Sequence, residues 1–199
     1  MFRAVSAKHS VHYVENSTGT FKGQPGHNRL VGDVAAGRGV QQITISRGAK
    51  TGHATIRVIH STAYLRGDAF TLHTYMEIPA AQATALAGRW IAIPRTSPAY
   101  APLAADVTFA SFRSDLLPQH HLSVVNGTIG ATKVTGLHGT SHAGSITVTE
   151  TVYAPASKTP LPIEVTQSVH GANPATARTT LSRWNEAVRV AAPAHAIPA

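Results

Sequence analysis

The stretch that decides the fold is Ile146-Thr147-Val148-Thr149-Glu150-Thr151-Val152-Tyr153. Apolar residues alternate with threonine over most of its length, and a period of two places successive side chains on opposite faces of a strand. The pattern therefore predicts a half-buried β-strand. Glu150 interrupts the apolar face, and two interpretations are open: it pairs with an arginine across the sheet, or it marks the mouth of a pocket.

Strand patterns occur on both sides of this stretch. Upstream, the segment from Leu122 to Leu137 predicts a hairpin with its turn at Asn126-Gly127. From Val11 to Arg66, short apolar segments separated by glycines predict a series of strands. Further strands are predicted downstream around Leu161–Val169, Thr179–Trp184 and Val188–Val190.

The middle third has helical signals instead. Asp68 is a candidate N-cap for a helix over residues 69–78, and Pro79 starts a second helix that ends at Gly88. A short strand over residues 88–94 follows, and then a helix over residues 98–117. The order strands, helices, strands predicts an α+β fold in which a curved antiparallel sheet, an incomplete barrel, wraps around a helical insertion.

Length and composition favour a single domain. A chain of 199 residues that is 43% apolar can bury a sizeable core. We expect an N-terminal extension over residues 1–9, one domain over residues 10–190 and a C-terminal tail over residues 191–199. The chain has no cysteine, which excludes disulfides, thiolate metal ligands and a thiol nucleophile.

Charge and motifs argue against several functional classes. The formal net charge is +8, but the arginines and lysines are scattered singly, whereas nucleic-acid binders usually concentrate them on one face. No Gly-x-Ser-x-Gly sequence or phosphate-binding glycine loop occurs, so we expect neither an enzyme nor a cofactor. The twelve histidines include His138 and His142, which we expect to lie on the surface of a loop or hairpin rather than to bind a metal.

Several motifs together resemble the mycobacterial LppX/LprAFG lipoproteins and their actinobacterial relatives, over roughly residues 10–193. The motifs near the N-terminus are Gly32-Asp33-Val34, Gly37-Arg38-Gly39-Val40-Gln41, Gly52-His53-Ala54-Thr55-Ile56 and Ala63-Tyr64-Leu65-Arg66-Gly67-Asp68. Those further along are Gly88-Arg89-Trp90-Ile91-Ala92-Ile93-Pro94, Pro160-Leu161-Pro162 and Leu181-Ser182-Arg183-Trp184-Asn185-Glu186.

The resemblance implies a LolA-like fold, in which the sheet and helices enclose an apolar cavity. It also implies a non-catalytic protein of the cell envelope, or a secreted one, that binds and transports a lipid or an acylated glycolipid. The chain shows neither a signal peptide nor the lipobox cysteine of these lipoproteins. A monomer is expected, and a membrane surface is a second candidate partner.

The helical insertion supplies the candidate cavity wall, because it holds many of the aromatic residues of a chain that is only 6% aromatic. The candidate lining residues are Phe70, Leu72, Tyr75, Met76, Leu86, Trp90, Phe109, Phe112 and Leu116. Arginines are expected to steer an anionic headgroup toward the cavity. The alternative is that these side chains pack into a solid core, which would make the protein an envelope interaction module with a basic surface and no lipid ligand.

Overall fold

The computed structural model describes residues 2–21, 24–105, 107–116, 122–157 and 160–199. The strands are β1 (Ser10–Phe21), β2 (Gln24–Ala35), β3 (Arg38–Arg47), β4 (Lys50–Ile59), β5 (Thr62–Gly67), β6 (Ile91–Pro94), β7 (Ser123–Ile129), β8 (Thr132–Ala143), β9 (Ile146–Pro155), β10 (Glu164–His170), β11 (Ala175–Ser182) and β12 (Ile197–Pro198). The helices are α1 (Phe2–Ser6), α2 (Ala69–Thr74), α3 (Ala80–Leu86), α4 (Tyr100–Ala105) and α5 (Phe109–Asp115).

All twelve described strands belong to one sheet, in the order β12-β6-β5-β4-β3-β2-β1-β11-β10-β9-β8-β7. Neighbouring strands are antiparallel except for β12, which runs parallel to β6. Among the described residues β7 and β12 have a single neighbour each, so the sheet is open rather than closed into a barrel. The predicted fold class, a curved antiparallel sheet around a helical insertion, is confirmed.

The sheet has one face on which the helices pack, which we call the concave face, and an opposite convex face. Strand alternation sends most of the large aliphatic side chains of β2 to β5 to the concave face, where they are buried. Helix α2 packs on β4, α4 on β5 and α5 on β2. The core therefore lies between the helices and the first half of the sheet.

The start of α2 and the end of α3 follow local signals. The Asp68 side chain accepts a hydrogen bond of 2.7 Å from the Thr71 N–H at the start of α2, as predicted for an N-cap. Gly88 has a φ of +74° just after α3, which an L-residue adopts only with strain.

The helix predicted over residues 98–117 is instead two helices, α4 and α5, and Leu117 lies outside the described residues. The carbonyl of Val107, between the two helices, lies against Gly39 of β3, where a Cβ would come within 2.0 Å of it. The Thr108 carbonyl then accepts from the Phe112 N–H at 3.0 Å as α5 begins. The helical segment is thus interrupted at the point where its backbone contacts the sheet.

The hairpin of β7 and β8 is confirmed, but its predicted turn at Asn126-Gly127 is wrong. Asn126 pairs with Thr135 inside the ladder, and the two-residue loop lies between Ile129 and Thr132. Gly130 in that loop has a φ of +59°. Asn126 stays in the strand, where its Oδ1 accepts from Thr135 Oγ1 at 3.2 Å.

The two ends of the chain contact the domain. Helix α1 lies within the expected N-terminal extension, and its Val5 is buried. In the expected tail, the Ile197 N–H donates to the Trp90 carbonyl at 2.9 Å, which adds β12 beside β6. The strand predicted over Val188–Val190 is not present: this segment has no regular secondary structure. The division into extension, domain and tail stays a prediction.

Candidate functional site

A cavity of about 260 Å³ opens on the concave face. Its wall on the helix side consists of Tyr75, Phe112 and Leu116. Its wall on the sheet side comes from β1, β2, β3 and β9 to β11 and consists of Tyr13, Glu15, Leu30, Gln41, Glu150, Val165, Gln167, Ala177 and Thr179. The cavity thus lies where α5 and the end of α2 face the middle of the sheet.

One buried contact fixes the helix wall against the sheet. The rings of Tyr13 and Phe112 stack with their centroids 4.9 Å apart and 23° between their planes. The Tyr13 hydroxyl accepts a hydrogen bond of 2.6 Å from Nε2 of Gln41, which is itself buried. Because a buried polar group without a partner is costly, this pair holds the Tyr13 ring in one position.

The polar groups in this cavity are carboxylates, amides and hydroxyls. Thr179 Oγ1 donates to Glu15 Oε2 at 3.4 Å, and Gln167 Nε2 donates to Glu150 Oε2 at 3.4 Å. Glu150 therefore lies in the cavity wall, as the pocket interpretation of the sequence expects. The described lining of this cavity contains no arginine. The arginines that were expected to attract an anionic headgroup are therefore not in its wall.

A second cavity, of about 560 Å³, adjoins the first, and Tyr75 belongs to the walls of both. Phe70 and Arg47 also line it. Arg47 is buried, and its Nη1 donates to the Ser46 carbonyl at 2.8 Å. Burial lowers the pKa of the Arg47 guanidinium, and the nearby Tyr75 opposes that change.

Three large apolar side chains of the described chain are exposed, at β7, just before it, and at the start of β9. Val124 is 69% exposed, Leu122 51% and Ile146 44%. The register pairs Val124 with Leu137 and Leu137 with Val152, so Val124 shares the concave face with Val152. Ile146 is separated from Val152 by an even number of positions along β9, so it also points to the concave face. Leu122 directly precedes β7. We call the first cavity together with Val124 and Ile146 the concave trough.

The structure brings together part of the predicted cavity wall. Tyr75, Phe112 and Leu116 line the first cavity, and Phe70 and Tyr75 line the second. Leu72 and Phe109 are buried in the core, which leaves them little surface for a ligand. Met76 and Leu86 are half-buried against the same core.

Trp90 lies elsewhere, in contrast to the expectation that it lines the concave cavity. The guanidinium carbon of Arg57 is 4.7 Å from the centre of the Trp90 ring. Arg57 alternates with buried Ile56 and Val58, so its side chain is on the convex face. Trp90 precedes Ile91, which is buried, and therefore points to the opposite side of the sheet.

The residues that sequence analysis missed come from the sheet wall. Gln41, Gln167, Ala177 and Thr179 line the cavity but are neither aromatic nor strongly apolar. The sequence did hold a signal for Gln41. Alternate residues of a strand point to the same face, so Gln41 shares the buried face of β3 with Ile43 and Ile45.

The histidine pair lies in strand β8, which forms a hairpin with β9, so the hairpin alternative of the prediction holds rather than the loop. His138 Nδ1 is 2.9 Å from Thr151 Oγ1, and His142 Nδ1 is 3.0 Å from Thr147 Oγ1. Residues four apart in a strand are separated by roughly 13 Å, too far to share a metal ion. Within the described ranges, no group of three histidine, aspartate or glutamate side chains is placed to hold a metal.

The fold and the trough together define a class of protein: an open, curved antiparallel sheet with helices on part of its concave face and an amphipathic groove beside them. No model of a known protein family matches the chain, and no curated protein matches it. Among the described helices, none is both long and apolar enough to cross a membrane.

Solved structures with a similar fold exist. The lipoprotein LppX of Mycobacterium tuberculosis aligns over 95% of this chain and 93% of its own, with a TM-score of 0.53 and 16% identity. A DUF1329 family protein from Desulfovibrio piger aligns over 96% and 90%, with a TM-score of 0.33 and 7% identity. A putative outer membrane lipoprotein-sorting protein domain from Vibrio parahaemolyticus aligns over 94% and 91%, with a TM-score of 0.31 and 8% identity. The similarity to LppX has a TM-score above 0.5, and at 16% identity it shows a shared fold alone.

Proposed function

We propose that this protein binds the acyl chain of a lipid in the concave trough and catalyses no reaction. The observation that carries the proposal is the position of the exposed apolar side chains. Val124 and Ile146 share one face of the sheet with the wall of a cavity that contains Leu30, Phe112 and Leu116. An apolar surface that is exposed beside a cavity is typical of a ligand site.

The energetics favour a long apolar ligand over a small polar one. Each methylene group moved from water to an apolar surface contributes about 0.8 kcal/mol. An extended chain gains most because it can continue from the cavity across the exposed side chains of β7 and β9. A ligand confined to the 260 Å³ of the first cavity would leave Val124 and Ile146 in water.

The polar part of the ligand is expected to donate hydrogen bonds. Glu15 and Glu150 present carboxylate oxygens in the cavity, beside the amide of Gln167. Carboxylates accept hydrogen bonds from hydroxyl groups and repel phosphates. The hydroxyl groups of an acylated glycolipid therefore suit this wall better than an anionic headgroup does.

The resemblance to LppX-type lipoproteins agrees with this proposal in both motif order and fold. It suggests a role in holding or moving a lipid in the cell envelope. In the trough, Glu15 accepts a hydrogen bond from Thr179, and Glu150 accepts one from Gln167.

Native mass spectrometry of the purified protein, before and after organic extraction, tests the proposal. A bound acyl species should be released by extraction and should rebind when a long-chain glycolipid is returned. The double variant Val124→Glu/Ile146→Glu should weaken rebinding by at least about tenfold, because each side chain contributes about 1.5–3 kcal/mol when fully covered.

Thr132→Glu/Thr176→Glu is the matched control. Both threonines are exposed, and their parity along β8 and β11 places them on the convex face. This variant adds the same charge and should keep the affinity of the native protein. Equal binding by all three proteins, or no uptake of any acyl compound, would show that the trough is not a lipid site.

A further inference from the structure

A separate cavity of about 650 Å³ lies on the convex face, away from the concave trough. Its wall includes Arg57, Arg66, Trp90 and His53. Arg57 and Arg66 come from adjacent strands, where Arg57 pairs with Tyr64 and Thr55 with Arg66. They are therefore diagonal neighbours on one face of the sheet.

Two guanidinium groups converge on one indole ring in this cavity. The Cζ atoms of Arg57 and Arg66 lie 4.7 Å and 6.0 Å from the centre of the Trp90 ring. The ring face attracts both cations, but it does not neutralise them. Two like charges held this close repel each other unless an anion lies between them.

The described carboxylates do not supply that anion. The ion pairs of the described chain use Arg178 and Arg183, and neither Arg57 nor Arg66 takes part in one. Arg57 Nη1 donates to the Ala191 carbonyl at 3.1 Å, which leaves further N–H donors on its guanidinium.

Asp68 lies in the wall of this cavity but is committed to the backbone. Its Oδ1 accepts from the Thr71 N–H at 2.7 Å, and its Oδ2 accepts from the His53 N–H. Burial raises the pKa of the Asp68 carboxyl, but these hydrogen bonds outweigh burial and hold the pKa below its usual value. Asp68 therefore caps α2 as an ionised carboxylate. Because Arg57 and Arg66 together outweigh this single negative charge, the cavity keeps an excess of positive charge.

We propose that the Arg57–Arg66–Trp90 cavity binds a phosphate group. Guanidinium groups match the oxygens of a phosphate with paired hydrogen bonds, and two of them can contact one phosphate from two sides. The cavity volume of about 650 Å³ leaves room for the organic part of a phosphate ester beside the indole. The phosphate belongs either to a soluble ester or to the headgroup of an anionic phospholipid, and this site does not depend on the proposed acyl ligand.

Trp90 provides a direct signal for the test. The chain has two tryptophans, so Trp184→Phe leaves Trp90 as the single fluorescent reporter. Glycerol 1-phosphate and vesicles of phosphatidylglycerol with phosphatidylcholine are titrated separately, with pure phosphatidylcholine vesicles as the neutral comparison. Because Trp184 packs on Phe109, calorimetric titration of the native protein serves as a second measurement.

Saturable binding of glycerol 1-phosphate identifies a soluble ligand, whereas binding only to the anionic vesicles identifies a phospholipid headgroup. In either case Arg57→Gln/Arg66→Gln should weaken binding by at least about tenfold, since two charge-assisted hydrogen-bonding groups are lost. Arg66→Gln alone, at an exposed position, should show part of this loss even if the double variant folds poorly.

The control is Arg29→Gln/Arg38→Gln, which removes the same charge from exposed positions outside the cavity. It should bind within about twofold of the native protein at the 0.15 M ionic strength that screens distant charges. If both double variants lost the same amount of affinity, binding would depend on the overall positive charge rather than on this cavity, and the proposal would be overturned. The absence of binding to either probe would overturn it as well.

Discussion

Gly39 is expected to control how the helical layer sits on the sheet, and Gly39→Ala tests this directly. In β3, Gly39 pairs with Val34 on one side and Val58 on the other, and both valines are fully buried. The carbonyl of Val107, between α4 and α5, fills the space where a Cβ would be. A Cβ on Gly39 would lie 2.0 Å from that oxygen and 3.0 Å from the Asp33 carbonyl.

The cost of the substitution follows from this geometry. Ordinary contact begins at 3.4 Å, so the Val107 carbonyl must retreat by about 1.4 Å. It is a backbone atom held by a fully buried residue and cannot rotate away. Overpacking of this kind costs about 1–3 kcal/mol, and partial withdrawal of the Val107 side chain adds about 1 kcal/mol. We expect Gly39→Ala to lower the free energy of unfolding by about 2–4 kcal/mol.

Urea denaturation followed by tryptophan fluorescence measures this loss. Gly127→Ala in β7 is the matched control, because a Cβ there meets only Val134 Cγ2 at 4.0 Å. The control should change the free energy of unfolding by less than about 0.5 kcal/mol or stabilise the protein slightly. If Gly39→Ala were as mild as the control, the close approach of the Val107 carbonyl would not exist in solution.

Two further predictions concern stability. Asp68→Asn should reduce the dependence of stability on pH at the acid end: the folded-state pKa of Asp68 lies below the unfolded value of about 3.9, so its contribution is present above about pH 4 and is lost as the pH falls through the folded-state pKa. Unfolding measured from pH 7 down to pH 2 checks this, and an unchanged acid limb in the variant would contradict it. Tyr13→Phe should cost about 1–3 kcal/mol, because the amide of buried Gln41 loses its 2.6 Å partner. Adding Gln41→Leu to Tyr13→Phe should restore part of that stability, and a double variant as unstable as the sum of the single variants would argue against a coupled pair.

Much of the fold was predictable from sequence because its signals are local. The alternation from Ile146 to Val152 and the cap at Asp68 each act within a few residues, and strand β9 and the cap of α2 are both present. The burial along β9 does not follow the alternation, since Ile146 is exposed and Thr151 is buried. The break between α4 and α5 was not predictable in this way. At this break the Val107 carbonyl lies against Gly39, which is distant in sequence, and this contact exists only after the sheet has formed.

The candidate site was predictable only in part, for a related reason. Bulk and aromatic character pointed to Tyr75 and Phe112, which line the first cavity, but the same criteria included Trp90, which strand parity places on the convex face. The sheet wall needs the pairing of β1, β10 and β11, and local sequence does not show which distant strands become neighbours.

The central claim, that an acyl chain occupies the concave trough, is tested most directly by methyl NMR with a spin-labelled fatty acid such as doxyl stearate. Bound label should broaden the methyl signals of Val124, Val165 and Leu116, which lie on the concave face, more than that of Val31, which faces the convex side outside the Arg57–Arg66–Trp90 cavity. Broadening of Val31 to the same extent as Val124, or no broadening of any of these signals at saturating label, would contradict the account.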